Sequence, residues 1–290
     1  MIAFVFPGQG SQKRGMGQGL FDEVREYAAV ETEVDAILGY SMRKLCLEDP
    51  DNRLKQTQYT QPSLYVVNAL HYYKAISDGA RPAWLAGHSL GEYNALLAAG
   101  VFDFLTGLRL VQKRGELMSQ AKNGGMGAVI GLDADAVAKV IGDNGNGLAA
   151  LDVANFNTPS QTVVSGQVDD IKRSGPVFEK AGAQMFIPLQ VSAAFHSRYM
   201  ADAAKEFAEF LVPRTFAAPK IPVIANVTAR PYSSDDASSA GKAMLVNQIT
   251  QSVQWTKSIR FLMDQGVTQF TEIGPGNVLT RMVQQIQQQH

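Results

Sequence analysis

The stretch Ala83-Trp84-Leu85-Ala86-Gly87-His88-Ser89-Leu90-Gly91 joins a short apolar run to a glycine turn, and a helix-like pattern follows it to residue 99. The same design recurs at residues 2–10 and 267–276, where an apolar run again leads into closely spaced glycines. Short apolar strands alternating with helices predict a parallel sheet that is covered on both faces. The glycine turns then lie at the carboxyl ends of the strands, where open α/β sheets bind their ligands.

The composition is that of a globular α/β protein. Of the 290 residues, 46% are hydrophobic and 18% are charged, which suits one large domain or a large domain with a smaller one. The formal net charge of −1 gives no global positive field for nucleic acid or an anionic membrane. Cys46 is the only cysteine, which excludes an internal disulfide and leaves no cysteine pair for zinc. No leader or membrane-spanning run is recognisable, so we expect a cytoplasmic protein that binds neither nucleic acid nor membranes.

The middle of the chain has a different pattern. After a break at Asn123-Gly124-Gly125, β-like runs at 126–132, 161–166 and 184–191 alternate with helix-like patterns at 134–141 and 168–181. This β-α-β-α-β order is compact enough for a small inserted α+β unit. We therefore predict a large domain formed by residues 1–123 and 193–290, and a small subdomain formed by residues 124–192.

The pentapeptide Gly87-His88-Ser89-Leu90-Gly91 fits the Gly-x-Ser-x-Gly nucleophile elbow. In such an elbow a tight strand-to-helix turn makes the serine hydroxyl project from the sheet edge. The helix that follows supplies unpaired amides and a positive dipole end for a developing oxyanion. Ser89 is therefore the candidate nucleophile of an enzyme that forms an acyl-serine, and the alternative is an ordinary serine in a strand–helix turn.

A serine hydroxyl needs a base to take its proton, and the chain has four histidines. His290 is the last residue, His71 lies in a helix-like stretch at 64–76, and His88 diverges from its serine neighbour at a sharp turn. His196 remains, in a loop between a strand and a helix, and is the candidate base. The group that orients its ring stays open, because Asp152 and a backbone carbonyl could serve equally well.

One arginine is placed in apolar surroundings. Residues 103–121 read as a helix with Asp103 available as its N-cap. In this helix the neighbours of Arg114 on the preceding and following turns are all apolar: Leu110, Val111, Leu117 and Met118. A guanidinium in an apolar arc is costly unless an anion meets it. Arg114 therefore predicts an internal salt bridge, a side chain that reaches past the apolar stripe to water, or a clamp for a substrate carboxylate.

An ordered series of motifs resembles the malonyl-CoA:acyl-carrier-protein transacylase family, and most of all its free-standing, trans-acting acyltransferases that serve modular polyketide synthases. The resemblance covers nearly the whole chain. It implies an α/β-hydrolase-like large domain with a parallel sheet and an inserted ferredoxin-like α+β subdomain. The motifs are Phe6-Pro7-Gly8-Gln9-Gly10-Ser11-Gln12, Thr60-Gln61-Pro62, Gly87-His88-Ser89-Leu90-Gly91-Glu92, Arg114-Gly115, Asn155-Phe156-Asn157-Thr158-Pro159, Ala194-Phe195-His196-Ser197 and Glu272-Ile273-Gly274-Pro275-Gly276.

The resemblance implies a role in catalysis for five residues. Ser89 is the nucleophile and His196 is the base. The backbone amides of Gln9 and Leu90 form the oxyanion hole. The main-chain carbonyl of Gln248, rather than a carboxylate, orients the histidine, so that the enzyme works with a dyad.

The resemblance also implies how the substrate is bound. Arg114 binds the malonyl carboxylate and Gln61 lines the same pocket. Phe195, a bulky residue just before the histidine, resembles the malonyl-selective pattern, because it limits the room beside the α-carbon of the acyl group. Two departures leave fine selectivity open: Ala193-Ala194 replaces a histidine-containing pattern, and Arg281 stands where many relatives have glycine.

The implied activity is transfer of the malonyl group from malonyl-CoA to the phosphopantetheine thiol of an acyl carrier protein through a malonyl-serine. We expect no permanently bound cofactor, no metal, and a monomer that acts in polyketide synthesis. The alternatives are an acyl hydrolase that clears carrier proteins, a housekeeping transacylase of fatty-acid synthesis, and a non-catalytic carrier-protein docking module. A nucleotide-binding protein is disfavoured, because the glycines at residues 8–19 lack the phosphate-loop pattern.

Overall fold

The structure is a computed structural model that describes residues 1–143, 145, 147–191, 193–233 and 237–289. In these ranges the chain forms eight β-strands and thirteen α-helices. The strands are β1 (Ile2–Phe6), β2 (Trp84–Gly87), β3 (Gly124–Ile130), β4 (Asp152–Thr158), β5 (Gln161–Gln167), β6 (Met185–Pro188), β7 (Val223–Ile224) and β8 (Gln269–Glu272). The helices are α1 (Leu20–Glu23), α2 (Arg25–Ala28), α3 (Glu31–Leu38), α4 (Met42–Glu48), α5 (Thr57–Ser77), α6 (Gly91–Ala98), α7 (Phe104–Gln120), α8 (Ala134–Gly142), α9 (Val168–Lys180), α10 (Ala201–Leu211), α11 (Ala237–Thr250), α12 (Trp255–Asp264) and α13 (Val278–Gln287). Among the helices described, none combines the length and the apolar character needed to cross a membrane.

Four strands form an all-parallel sheet in the order β7-β2-β1-β8. The side chains of β1 alternate between two cores: Ala3 and Val5 face one, and Phe4 and Phe6 face the other. Helices α12 and α13 cover the first face, and α5, α6 and α7 cover the second. Burial on both faces explains why β1 is an uninterrupted apolar run, and the predicted parallel α/β sheet is confirmed.

The other four strands form an antiparallel sheet in the order β4-β5-β3-β6. With α8 and α9 they give the chain order β-α-β-β-α-β, which is the ferredoxin-like arrangement. The order predicted from the sequence, β-α-β-α-β, is therefore wrong by one strand. The missing strand is β4, whose Asp152, Asn155 and Asn157 are of residue types depleted in strands.

Apolar contacts hold the small sheet on both of its faces. Val137 of α8 and Phe178 of α9 pack with Val129 in a core of their own. On the other face, Met126 and Ala128 join the core of the parallel sheet. The domain boundaries at 123/124 and 192/193 stay predictions: β3 begins at residue 124, and residue 192 lies outside the described residues.

The long helices α5 and α7 bring two polar side chains together. Helix α7 begins after Asp103, whose side chain caps it as predicted. Helix α5 begins at Thr57, earlier than the predicted 64, and therefore includes Gln61. A Cβ at Gly115 would lie 3.2 Å from the carbonyl oxygen of Thr57 and 3.4 Å from Cβ of Gln61, so this glycine lets the helices approach closely. As a result, Gln61 faces Arg114 across the helix pair.

Candidate active site

Ser89 stands between the end of β2 and the start of α6 with a backbone φ of +51°. A left-handed conformation costs a residue with a side chain about 1–3 kcal/mol, so the surrounding structure must hold it. A Cβ at Gly87 would lie 1.9 Å from the carbonyl carbon of Gly91, and one at Gly91 would lie 2.0 Å from the carbonyl oxygen of Phe6. The turn therefore requires glycine at both positions, which is the geometry of the predicted nucleophile elbow.

The side chain of Asn226, just beyond β7, ties this elbow to the neighbouring strand. Its Oδ1 accepts a hydrogen bond from the Ser89 amide at 2.7 Å, and its Nδ2 donates to the carbonyl of Gly87 at 2.6 Å. Asn226 is buried. A buried amide that satisfies one donor and one acceptor of the turn stabilises the strained backbone between them.

Replacing Gly91 by alanine is expected to lower the free energy of unfolding by about 1–3 kcal/mol or more, because the new methyl group meets the Phe6 carbonyl. Urea unfolding followed by circular dichroism measures the change. Gly142→Ala is the matched control: a Cβ there meets nothing within 4 Å, and the change should be neutral or slightly stabilising. Equal unfolding midpoints for the two variants would show that the elbow is not tightly packed.

His196 lies between the hydroxyl of Ser89 and a backbone carbonyl. Its Nε2 is 2.8 Å from Ser89 Oγ, and its Nδ1 is 2.7 Å from the carbonyl oxygen of Gln248. Because a carbonyl can only accept, Nδ1 carries the hydrogen and Nε2 presents its lone pair to the serine. Ser89 therefore donates its hydroxyl hydrogen to His196, the arrangement in which an imidazole can act as a base.

The imidazole of His196 is held without charge. Burial, and after it the positive charge of Arg114, lower its pKa to about 3, while the hydrogen bond to Gln248 opposes the shift. An ordinary imidazole, with a pKa of about 6.5, is partly protonated in neutral solution. His196 is therefore unprotonated, and available to accept a proton, throughout the neutral range.

The other histidines stand in different surroundings. His88 places Nε2 2.8 Å from Oδ1 of Asn157, and its ring meets Trp255 edge-on. His71 is part of α5 and is half-buried, and no hydrogen bond links it to Ser89. His290 lies outside the described residues.

Asp152 is not hydrogen-bonded to His196. Its carboxylate accepts hydrogen bonds from the backbone N–H of Arg198 at 2.8 Å and from Nε of Arg198 at 2.9 Å. Of the two groups left open by the sequence, the structure places the backbone carbonyl of Gln248 on the imidazole and the carboxylate on a surface arginine.

Arg114 reaches from α7 to the nucleophile and is 1% exposed. Its Nη2 donates to Ser89 Oγ at 3.1 Å and to Gln248 Oε1 at 3.0 Å, and its Nη1 donates to Gln61 Oε1 at 2.8 Å. The guanidinium carbon lies 5.5 Å from the ring centre of Tyr93. All of these partners are neutral. The Nε–H group has no acceptor among the described residues.

The surroundings of Arg114 bear on the three roles that the sequence leaves open for it. Its near-complete burial excludes a side chain that reaches water, and no carboxylate in the described ranges is within ion-pair distance of it. Burial lowers the pKa of the guanidinium, and Tyr93 and Glu92 oppose that shift. A buried cation with an unused N–H donor favours an anion bound next to Ser89.

Two backbone amides face the same space. In the part of the chain that the structure describes, neither Gln9 N–H nor Leu90 N–H donates to another backbone or side-chain atom, and both residues line the cavity at Ser89. Leu90 precedes the first turn of α6, where amides have no partner within the helix. Gly8 packs against the elbow so closely that a Cβ there would lie 2.3 Å from the carbonyl oxygen of His88. This contact sets Gln9 beside the turn.

A cavity of about 100 Å³ opens at Ser89, and residues from the units of both sheets line it. Met118 comes from α7, Met126 from β3, and Leu189 and Val191 follow β6. Phe195, directly before His196, closes one side and is 6% exposed. The candidate reaction space is therefore small, mostly apolar, and shared between the parallel and antiparallel units.

The two departures from the family pattern lie outside this cavity. Ala193 and Ala194 are buried where the chain passes Gly124, and a Cβ at Gly124 would lie 2.2 Å from the backbone nitrogen of Ala194. Arg281 is exposed on α13. Within the described ranges, no group of three or more His, Cys, Asp and Glu side chains is placed to hold a metal ion.

For three contributions to the site, the sequence carries no signal of the role that the structure shows. Asn226 and the side-chain amide of Gln248 come from segments far from the elbow along the chain, where no motif marks them. Glu92 lies within a quoted motif but received no role. Each is buried and hydrogen-bonded to a site residue, which only the folded arrangement makes visible.

Known proteins resemble this chain over its whole length. The family model described as acyl transferase domain matches residues 3–290. PksC of Bacillus subtilis (strain 168), named polyketide biosynthesis malonyl CoA-acyl carrier protein transacylase, is 54% identical over 288 residues, which cover 99% of this chain and 97% of PksC.

Solved structures agree with the fold. The malonyl CoA-acyl carrier protein transacylase from Burkholderia pseudomallei matches with a TM-score of 0.93 and 46% identity, over 100% of this chain and 99% of that one. A chain in the complex of a type II PKS acyl-carrier protein with its malonyl-transacylase matches with a TM-score of 0.91 and 36% identity, over 98% and 92% of the two chains. The predicted fold class is confirmed.

Proposed function

This chain belongs to the acyl transferase domain family, and we propose that it moves the malonyl group of malonyl-CoA to the phosphopantetheine thiol of an acyl carrier protein. The observation that carries the proposal is the buried guanidinium of Arg114, which lies 3.1 Å from the Ser89 hydroxyl and whose partners among the described residues are all neutral. In a malonyl thioester a single CH₂ group separates the carboxylate from the reacting carbonyl. A carbonyl placed at Ser89 therefore brings that carboxylate within reach of Arg114.

The first half of the proposed reaction forms a malonyl-serine. Ser89 Oγ attacks the thioester carbonyl while His196 Nε2 takes the hydroxyl proton. The amides of Gln9 and Leu90 stabilise the oxyanion, and each such donor contributes about 10²–10³ in rate. The C–S bond then breaks, and the coenzyme A thiolate leaves with the proton from His196. Negative charge on the tetrahedral intermediate lies close to Arg114, which also favours it.

The second half reverses these steps with a different thiol. His196 takes the proton of the phosphopantetheine thiol, whose sulfur attacks the malonyl-serine carbonyl, and the same two amides hold the oxyanion. The Ser89–acyl bond breaks and the serine recovers its proton from His196. One base and one oxyanion hole thus suffice for both halves, because the second half retraces the steps of the first with another thiol. The chemistry needs no redox or metal cofactor, since the thioester is already activated.

We propose that the carrier protein belongs to polyketide synthesis and that the enzyme acts in trans, as a cytoplasmic monomer. PksC is named for polyketide biosynthesis, and this chain spans 97% of its length, so the relative is itself an acyltransferase without further large domains. The alternative of a fatty-acid transacylase differs in the carrier protein and not in the chemistry. Rates of transfer to purified carrier proteins of both kinds distinguish the two roles.

Intact mass spectrometry of the enzyme mixed with malonyl-CoA or acetyl-CoA tests the proposal. We expect a malonyl adduct on Ser89, far less acetyl adduct, and transfer of the malonyl group to a phosphopantetheinylated carrier protein faster than to water. Equal adducts from both thioesters would refute the carboxylate clamp. Water as the main acceptor would identify an acyl hydrolase, and absence of any adduct would favour a docking module.

Replacing Phe195 by alanine is expected to raise the use of methylmalonyl-CoA relative to malonyl-CoA by about tenfold to a hundredfold. The phenyl ring lines the cavity, and removing it makes room for one methyl group beside the α-carbon. Competition between the two thioesters at equal concentration, read by adduct mass, measures the ratio. Phe210→Ala, on α10 and away from this cavity, is the control. An unchanged ratio for Phe195→Ala would assign the methyl discrimination to another wall of the cavity.

A further inference from the structure

Glu92, in the first turn of α6, is a buried acid to which the reaction above gives no role. It is 1% exposed. Its Oε1 accepts hydrogen bonds from the backbone N–H of Asn226 at 3.2 Å and from the Tyr232 hydroxyl at 2.5 Å, and its Oε2 accepts one from Nε2 of Gln248. Among the described residues all three of these partners donate to the carboxyl group, and the two N–H groups can only donate. This set favours the carboxylate anion over the protonated acid.

Glu92 holds the side-chain amide of Gln248 and the backbone of Asn226, and these two residues hold the active site. Gln248 donates from Nε2 to the carbonyl of Ser89 at 2.9 Å, accepts from Arg114 at Oε1, and accepts from His196 at its backbone carbonyl. Gln248 thus contacts the nucleophile, the base and the cation. Asn226 clamps the strained elbow from its other side.

We propose that Glu92 is a positioning residue: its negative charge keeps the Gln248 amide turned with Oε1 toward Arg114 and holds Asn226 against the elbow, so that malonylation of Ser89 requires Glu92 to be ionised. The inference rests on the function proposed above. The reason is the polarity of the Gln248 amide, which lies between an anion on its NH₂ side and a cation on its oxygen side. A neutral residue at position 92 removes the anion on the NH₂ side. If the side-chain amide of Gln248 then turns over, it presents its NH₂ group to the guanidinium of Arg114.

The charged and titratable groups around Glu92 set the pH at which it ionises. Burial raises the pKa of the Glu92 carboxyl to about 7, and the hydrogen bonds from Tyr232, Gln248 and Asn226, with the charge of Arg114, hold it from rising further. Tyr93 and Tyr232 stay neutral, because burial raises the pKa of both phenols.

The expected pH dependence follows from these ionisations. The ionised fraction of Glu92 grows as the pH rises through about 7, so the rate of Ser89 malonylation should rise with it. At one pH unit below the pKa about one tenth of the carboxyl is ionised, so kcat/KM should be about tenfold below its plateau. His196, with a pKa of about 3, contributes no change between pH 5 and 9.

Rapid-quench malonylation of Ser89 by malonyl-CoA, measured by intact mass from pH 5.5 to 9, tests the proposal on three enzymes. For Glu92→Gln we expect a rate about tenfold to a hundredfold lower at pH 8, because misplacement of the catalytic groups costs rates of this order. We also expect no acid limb, that is, no fall in rate as the pH drops below about 7. For Tyr232→Phe, which removes one donor to the anion, we expect the acid limb to move to higher pH. Ionisation of malonyl-CoA itself is common to all three enzymes.

The proposed function, and the role of Glu92 alone, would be refuted by different results. Absence of malonyl-serine in the wild-type enzyme would refute the proposed function, and the role of Glu92 in malonylation with it. A normal wild-type adduct with an unchanged rate and limb in Glu92→Gln would refute the role of Glu92. If Glu92→Gln does not fold, as judged by circular dichroism, Glu92→Asp and Tyr232→Phe decide. Retention of the limb in Glu92→Asp with a shift in Tyr232→Phe supports the proposal, and an unmoved limb in Tyr232→Phe overturns it.

Discussion

The Ser89→Ala variant is expected to lose malonyl transfer by at least about 10⁴-fold while it keeps its fold. The hydroxyl is the only group of the elbow that can form the covalent acyl intermediate, and His196 faces it at 2.8 Å with an unprotonated nitrogen. The oxyanion amides and Arg114 remain in the variant and still bind substrate. They have no oxygen to which the acyl group could be passed. KM for malonyl-CoA should therefore change far less than kcat.

Two measurements check this expectation. Intact mass after incubation with malonyl-CoA should show no adduct on the variant, and malonyl transfer to a phosphopantetheinylated carrier protein should fall to the uncatalysed rate. Ser119→Ala, on α7 with its hydroxyl bonded to the Glu116 carbonyl, is the matched control and should behave as wild type. An adduct of wild-type extent on Ser89→Ala would place the nucleophile at another residue.

The elbow could be predicted because steric rules act locally, whereas the dyad is implied only by the family resemblance. Gly87 and Gly91 flank a serine so tightly that a Cβ at either position would meet backbone within about 2 Å, and such a turn allows few sequences. Elimination among the four histidines leaves His196 as the candidate base. The parallel sheet was predictable from β1, since a strand buried on both faces must be apolar throughout.

What the sequence did not predict depends on pairing between distant segments. Strand β7 has two residues, too few for a periodic pattern, yet the loop after it carries Asn226 to the elbow. Strand β4 contains polar residues that are tolerated because the bulged strand lies at the sheet edge. Asp152 is well placed in the sequence to serve a histidine, but Arg198 takes its carboxylate. No spacing rule gives such partners.

The charges at the site show why it is organised as a network. Arg114 and Glu92 are both buried, and they do not touch: the amide of Gln248 lies between them and contacts both. A direct ion pair would satisfy the guanidinium internally and leave less of it for a substrate. An intervening neutral amide keeps the cation hydrogen-bonded while its charge stays available to an anion that enters the cavity.

The Arg114→Met variant is expected to lower kcat/KM for malonyl-CoA by about 10²–10³-fold, since it leaves the substrate carboxylate buried without a cation, at a cost of about 3–5 kcal/mol. Methionine keeps much of the side-chain length and suits the apolar arc around α7. Acetyl-CoA has no carboxylate, so its use should change by less than about tenfold. Malonyl-CoA and acetyl-CoA should therefore be used at more nearly equal rates by the variant. Arg114→Lys retains the positive charge but not the planar guanidinium with its paired N–H donors. Its kcat/KM for malonyl-CoA should therefore lie between those of the wild type and Arg114→Met.

Rates of Ser89 acylation by each thioester, measured on wild type and variants, give this ratio directly. Arg109→Ala is the control on the same helix: its side chain is 45% exposed and lies 3.7 Å from Glu33, and a surface pair of this kind contributes little. Because Arg114 also donates to Ser89 Oγ, part of any loss will be shared by both thioesters, and only the difference between them reports on the carboxylate. A loss of equal size for malonyl-CoA and acetyl-CoA would reduce Arg114 to a support for the nucleophile and would remove the structural reason for a dicarboxylic acyl group.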